Sequence, residues 1–385
     1  MMNDFLFYNP VKVYFGKDQL NHLTEEVRKL GKKVLLVYGG GSIKKNKIYK
    51  NVMKHLEEFE VFELSGVEPN PDVTSVREGA KICKEEGIDV VLAVGGGSVI
   101  DASKWIAAAA CVDFDAWDFF SKRAAIENAL PLLTVLTIAA TGSEMNGGGV
   151  ISNRAEVKKI GRSSPLLYPK ASFLNPEFTY GVSSYQTACG AADIISHVME
   201  VYFNTQDGMY LLNAFMETLI KTVATYGKTA IEHPKDYEAR ANLMWAASWA
   251  INGFIDGPIR QGWNCHAIEH ELSARYNIAH GHGLAIIIPS WLRYCYSEEN
   301  KHIYKALATN VFESELIDNI GEVLATHFEN LFFEEFGLAS NLSDLDIPKE
   351  DLKDIAFSIC GNGSIPGFKE LKCEDVQKIL ENCYE

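Results

Sequence analysis

Twice in the first hundred residues a short apolar run ends abruptly at Gly-Gly-Gly-Ser. KKVLLVY (32–38) is followed by Gly39-Gly40-Gly41-Ser42, and DVVLAV (89–94) by Gly95-Gly96-Gly97-Ser98. Such β-branched runs, with no polar alternation, suit strands buried on both faces. Glycines directly after them let the chain turn without a Cβ clash and enter a helix. Helical stretches follow at about 46–58 and in VIDASKWIAAAA (99–110). EVFEL (60–64) and LPLLTVLTI (130–138) read as further strands. The turn E-P-N-P (68–71) leads into a helix reaching about residue 86. Strand, glycine-rich turn and helix in repetition predict βαβ units and a parallel sheet.

From about Ser184 the pattern changes. QTACGAADIISHVMEVYF, LLNAFMETLIKTVATYG and YEARANLMWAASWAINGF carry helical periods, and strand-like runs nearly vanish. The expected organisation is an α/β domain over 1–183 and an all-helical domain over 184–385. The formal net charge of −15 argues against a general nucleic-acid or anionic-membrane surface. None of the eight cysteines forms a C-x-x-C pair, so neither a zinc ribbon nor a disulfide framework is suggested. With no signal-peptide pattern at the N-terminus and no apolar run long enough to span a bilayer, the expected compartment is the cytoplasm.

The glycine turns are candidate phosphate cradles. At 95–98 the backbone can approach a diphosphate, and the following helix supplies N–H groups and a positive dipole end. This is not G-x-G-x-x-G, because Ile100 stands where the third glycine would be. Gly96, Gly97 and Ser98 are the candidates for the diphosphate, with Asp101 adding a polar group at the helix start. Gly39, Gly40, Gly41 and Ser42 lie one unit earlier, at the adenosine end. NAD-binding enzymes usually place a carboxylate in such a region to hold the ribose. Here Gly39 follows Tyr38, and Ser42, Lys44 and Lys45 come next, which leaves room for a 2′-phosphate. A third polar loop, AATGSEMNGGG (139–149), follows strand 130–138. Three such loops at successive strand ends define one ligand-bearing edge of the sheet.

The helical half carries a different signal. Four of the ten histidines, His266, His270, His280 and His282, fall within seventeen residues. Asp193 and His197 lie four apart, as do His266 and His270, so each pair shares a helix face. His280 lies fourteen residues beyond His266, beside glycines, where a helix-to-helix turn is expected. Two helices and a turn can thus surround one ion with an aspartate and three imidazoles, a donor set that suits Fe(II) or Zn(II). Spacing alone does not choose among the five histidines.

In GGGSVIDASK, the TIAATGSE loop, GAADIISHVME, HAIEH and AHGHG, the chain resembles the iron-containing (group III) alcohol dehydrogenase family; GGGSIKKN (39–46), MWAASWAING (244–253) and the Trp263 segment resemble most closely its NADP(H)-dependent butanol dehydrogenase and aldehyde reductase branch. The resemblance implies a dehydroquinate synthase-like α/β cofactor domain, a helical metal domain and a homodimer. It implies Asp193, His197, His266 and His280 as metal ligands, with His270 near the nicotinamide as a candidate proton relay and His282 outside the set. Asn70 would lie near the adenosine ribose, and Thr137, Thr141, Asn146 and Lys159 match cofactor-lining positions. Family members often carry Pro-His-Gly where this chain has Ala279-His280-Gly281, and NAD-preferring ones an Asp where it has Gly39. The implied reaction is metal-dependent hydride transfer between NADP(H) and a primary alcohol or aldehyde such as butanol or butanal. The alternatives are a glycerol dehydrogenase or dehydroquinate synthase-like zinc and NAD enzyme, and a non-catalytic NADP-binding protein.

Overall fold

The computed structural model describes residues 3–205, 208–257, 259, 262–315 and 318–384. Two compact units are formed, one of Tyr8–Val182 and one of Met1–Phe7 with Ser183–Glu385.

The first unit is an α/β layered structure. Its strands are β1 Lys12–Phe15, β2 Lys33–Tyr38, β3 Glu60–Leu64, β4 Val90–Gly95 and β5 Leu132–Leu136, then β6 Gly148–Asn153, β7 Lys158–Ser163 and β8 Ala171–Leu174. Six of them form one sheet in the order β1-β8-β5-β4-β2-β3, and every pairing is parallel. β6 and β7 make a separate antiparallel hairpin. Val34, Leu36, Leu92, Val94, Val135 and Phe173 are buried in one core cluster, and the alternate residues Leu35, Val37, Val91 and Ala93 are buried on the opposite face, which explains why these strands read as unbroken apolar runs. Two helices matter for the site. α1, Val73–Glu86, is capped by Asp72, whose Oδ1 accepts the Thr74 N–H at 2.9 Å. α2, Gly97–Ala109, follows β4 directly and is buried along nearly its whole length. The expected helix at 46–58 is instead a short turn at Ser42–Lys45 and a helix at Ile48–His55, broken at Lys47, whose φ is 66°. Edge strand β1 is fastened to the helix Leu23–Arg28 by Glu26, whose Oε1 accepts Lys12 Nζ and Tyr14 Oη at 2.8 Å each.

Sheet order decides where a ligand can lie. β2 leads to β3 on one side, while β4 pairs with β2 on the other, so the order reverses between β2 and β4. Parallel sheets bind ligands at the carboxyl ends of strands at such a switch. Tyr38 pairs with Val94 there, and both Gly-Gly-Gly-Ser turns leave the sheet side by side.

Among its described residues, the second unit has only the two-residue strands β9 Ser364–Ile365 and β10 Leu371–Lys372 and is otherwise built of helices and their connections. α3, Ser184–Phe203, is buried from Thr187 to Phe203, and Ser183 Oγ caps it by accepting the Gln186 N–H at 3.2 Å. α4 is Tyr210–Glu232 and α5 is Tyr237–Ala250. α6, Asn264–Tyr276, and α7, His280–Cys295, are joined by three residues, with Asn277 in the left-handed region at φ 52°. α8, Leu352–Cys360, and α9, Cys373–Asn382, flank the small hairpin. Among the described residues, no helix is long and apolar enough to cross a membrane.

Candidate functional site

In the helical unit, α3 supplies Asp193 and His197, α6 supplies His266 and His270, and the first residue of α7 is His280. Ligand atoms of Asp193, His266 and His280 all lie within 4.8 Å of one another. Donors about 2 Å from an ion are at most about 4 Å apart, so small side-chain rotations would close the group around one. His197 stands just outside the tightest group. Its Nε2 is 3.7 Å from Asp193 Oδ1, and its ring stacks on His266 with centroids 4.8 Å apart. His280 Nε2 is also 3.7 Å from Asp193 Oδ1.

Two glutamates orient this cluster. Glu200, fully buried, accepts the Cys265 N–H at 2.7 Å, the His266 N–H at 3.2 Å and the ring Nδ1 of His266. Glu269, equally buried, bonds the ring Nδ1 of His280. Each histidine thereby has Nδ1 committed and turns Nε2 inward, the arrangement in which a carboxylate fixes the tautomer of a metal-ligating imidazole. His266 Nε2 and His197 Nδ1 are buried with no hydrogen-bond partner. A buried polar atom left unsatisfied is unfavourable. Inward lone pairs beside a buried aspartate fit a divalent transition metal. Electrostatics set the two rings apart. Burial, then the neighbouring His266, His280 and His270, push the His197 imidazole well below its ordinary range. Burial works against charge on His266, but Glu200, with Asp193 and Glu269, outweighs it and holds that ring above its ordinary value.

A second triad, Glu269, His270 and His280, shares His280. There Glu269 is already bonded to His280 and Ser273, so the Asp193 group is the better cation site. His270 is half-buried one turn from His266, with its ring 5.4 Å from that of His280. His282 is turned away, with Tyr185 Oη at 3.1 Å from Nδ1 and the Ala339 carbonyl at 2.9 Å from Nε2. Trp263 packs edge-on against His266 at 4.9 Å. Gly281 explains how α7 reaches Asp193, since a Cβ there would lie 1.9 Å from the Cys189 carbonyl oxygen of α3. Glu200 and Glu269 were not singled out from sequence. The usable signal is Glu200 seven residues after Asp193 and Glu269 inside H-A-I-E-H, each on the turn beside a candidate ligand.

In the α/β unit, the glycines after β4 are required by packing. A Cβ on Gly96 would meet Ile138 Cγ2 at 2.1 Å, and one on Gly97 would meet Thr141 Oγ1 at 2.2 Å. A Cβ on Gly40 or Gly41 would meet nothing within 4 Å, so the turn after β2 faces open space. Ser42 begins the next short turn, and Thr137 donates its N–H to the Gly95 carbonyl at 3.0 Å, level with the turn after β4. The Asp101 carboxylate is engaged inside the fold, accepting Ser143 Oγ at 2.5 Å and the Val150 N–H at 2.8 Å. Lys104, fully buried, donates to Ser143 Oγ at 2.8 Å, Asn146 Oδ1 at 2.9 Å and the Gly148 carbonyl at 2.5 Å. Asn146 also accepts the Gly148 N–H and donates to the Gly142 carbonyl. Asp101, Ser143, Lys104 and Asn146 thus form a clasp binding the third loop to α2. Burial pushes the Lys104 ammonium down to about 8 against the pull of Asp101. Lys159 is half-buried on β7 and acts on Asp101 through its charge. Asn70, at φ 50°, follows β3. Lys44 lies over the rings of Tyr38 and Tyr49 at 4.9 and 4.6 Å, beside Glu63, while Lys45 is exposed.

Two profiles of one enzyme class cover nearly the whole chain. The iron-containing alcohol dehydrogenase profile matches residues 10–176, and the C-terminal profile of the Fe-containing alcohol dehydrogenase family matches 187–384. The chain therefore belongs to the iron-containing alcohol dehydrogenase family. It is 42% identical over 389 residues to NADH-dependent butanol dehydrogenase A of Clostridium acetobutylicum, covering 100% of both chains. With the NADPH-dependent aldehyde reductase YqhD of Escherichia coli it shares 34% over 348 residues, 89% of each. A crystal structure of NADH-dependent butanol dehydrogenase A from Thermotoga maritima superposes with a TM-score of 0.95 at 40% identity, covering 100% of this chain and 99% of that one.

Proposed function

We propose that this protein interconverts a primary alcohol and its aldehyde, with butanol and butanal as the reference pair, using one divalent metal and NADP(H). The carrying observation is the convergence of Asp193, His266 and His280, with His197 adjoining and each of the two glutamate-bonded imidazoles turned inward. Relatives named butanol dehydrogenase and aldehyde reductase support the substrate class.

Fe(II) or Zn(II) at this site would supply Lewis acidity toward a substrate oxygen, and the nicotinamide would supply or take the hydride. The chain's own part is positional. Asp193, His197, His266 and His280 hold the ion. Glu200 and Glu269 fix the rings of His266 and His280. His270, half-buried at the edge of the group, passes a proton between the reacting oxygen and solvent. If His270→Ala leaves the pH profile of turnover unmoved, that role is wrong. In the α/β unit, the Gly96–Ser98 turn and the start of α2 bind the diphosphate. Thr137, Thr141 and Lys159 would face the remainder of the cofactor, while Asp101 and Asn146 hold the loop that carries Thr141.

The NADP(H) preference rests on Gly39. No carboxylate follows β2 to meet a ribose 2′-hydroxyl, and Gly40 and Gly41 leave open space for a 2′-phosphate. The relatives' names divide on this point, two of those above being NADH-dependent and one NADPH-dependent. The deciding experiment is oxidation of NADPH, with NADH alongside, by butanal on protein stripped of metal and reloaded with Fe(II) or Zn(II). Metal-dependent turnover favouring NADPH is expected. Turnover with NADH alone would retain the reaction and refute the cofactor reading.

A further inference from the structure

The hairpin between α8 and α9 carries chemistry that the hydride-transfer reading does not use. α8 ends at Cys360 and α9 begins at Cys373, so two cysteines flank the open end of the β9–β10 hairpin. Its register, Ile365 opposite Leu371 and Ser364 opposite Lys372, brings the two ends together. Cys373 Sγ donates to the Gly361 carbonyl at 3.2 Å, one residue after Cys360. Cys360 Sγ reaches the Leu371 carbonyl at 4.0 Å, two residues before Cys373. Each thiol thus reaches backbone close to the other cysteine, and both are partly exposed.

The hairpin tip supports the start of α6. A Cβ on Gly262 would lie 2.1 Å from Gly367 Cα, so the two backbones touch. Asn264, the first residue of α6, donates Nδ2 to the Pro366 carbonyl at 3.1 Å. Phe368 packs against Phe203 at 5.1 Å and Trp291 at 5.8 Å. Two residues beyond Asn264 stands His266.

We propose that Cys360 and Cys373 are a reversible disulfide site, oxidised by a small-molecule disulfide such as oxidised glutathione, and that the bond fastens this hairpin against the start of α6. Cys373 stands at the N-terminus of α9, a position that suits an attacking thiol, and makes the first attack. Its sulfur bonds to one glutathione sulfur and expels the other glutathione as thiolate. Cys360 sulfur then attacks the Cys373 sulfur, breaks the mixed disulfide and releases the second glutathione. Two protein thiols are oxidised, one glutathione disulfide is reduced to two thiols, and the two protons pass to them. The crosslink closes a short loop and removes open conformations of the hairpin.

The test treats the full-length protein with oxidised glutathione and digests it without reduction. A peptide joining Cys360 to Cys373 is expected, reversed by dithiothreitol and lost in Cys373→Ser. Amide exchange over 262–265 and 361–368 should slow by about tenfold on oxidation and recover on reduction. Oxidation of other cysteines alone, or glutathione retained singly on Cys373, would overturn the site. A correct linkage with unchanged exchange would overturn the fastening. Neither readout needs bound metal or turnover, so their failure is distinct from failure of the enzyme reading.

Discussion

Replacing Glu200 by Gln tests whether a carboxylate behind His266 sets the metal site. Glu200 offers two acceptor oxygens to three donors: the Cys265 N–H at 2.7 Å, the His266 N–H at 3.2 Å and His266 Nδ1. Glutamine has nearly the same shape but one acceptor. If its oxygen faces Cys265, its amide N–H groups face His266. The His266 backbone N–H then loses its partner, and the ring can respond only by accepting at Nδ1, which moves the proton to the inward Nε2. If the oxygen faces His266, the Cys265 N–H is orphaned instead. Either way a buried backbone donor is left unsatisfied, at about 1–3 kcal/mol of apo-protein stability. Loss of the charge behind the ring should weaken metal binding by about 10–100-fold, or about 1.4–2.7 kcal/mol. The assay is Zn(II) competition against a chromophoric chelator at neutral pH, with denaturant unfolding in EDTA run separately to isolate the stability term. Glu269→Gln, which removes the charge behind His280, should behave alike. Zn(II) affinity within twofold of the parent in both variants would refute the reasoning.

Gly39→Asp should shift the NADP/NAD ratio of kcat/KM toward NAD by about tenfold or more; the new Cβ lies 3.1 Å from the Val67 carbonyl, a fit needing only a small adjustment. An unchanged ratio would remove Gly39 from the specificity argument. Lys104→Met should destabilise the α/β unit by about 3 kcal/mol, since Asp101 loses its buried counter-charge, and should raise KM for the nucleotide more than it lowers kcat. Equal effects on both would mean the clasp does not position the cofactor loop. Burial would raise the Glu26 carboxyl, but Lys12, Lys29 and Tyr14 outweigh it and bring it to about 2, against 4.5 for a free glutamate. Its folded value lies below its unfolded one, so its stabilisation is present above pH 4.5 and lost as the pH falls toward 2. With Lys12 and Lys29 half exposed, the screened contribution is about 1 kcal/mol. Acid unfolding of Glu26→Gln should lack that increment; a curve parallel to the parent's would refute it.

Legibility in the sequence followed burial. β2 and β4 read clearly because both faces are covered and their glycine turns interrupt the pattern sharply. β7, KKIGRS, did not, because its half-exposed hairpin position lets charged residues into the strand. β8 has only four residues, too few for any period to emerge. The break at Lys47 depends on a left-handed residue that spacing does not reveal. In the site, Asp193, His197 and the histidines of α6 were visible because i, i+4 pairs of ligating side chains are unusual on a buried helix. Glu200 and Glu269 were not, since a glutamate on a helix ordinarily reads as a solvated face, and only the packing of α3, α6 and α7 turns them inward. Asp101 read as a polar group at the nucleotide turn, whereas its partners lie more than forty residues away on a loop whose path cannot be drawn from local pattern.

The contact of Gly281 with the Cys189 carbonyl oxygen has a consequence for how this centre can diverge. Where two helices meet side chain to side chain, a methyl gained or lost alters their spacing and neighbouring residues relax around it. Here backbone meets backbone, and nothing remains to shave. The span from Asp193 to His280 is therefore a fixed dimension of the scaffold. Natural or laboratory variation can change which ion enters, how firmly the rings are held and what borders them, but the width of the opening stays the same until the two helices themselves part.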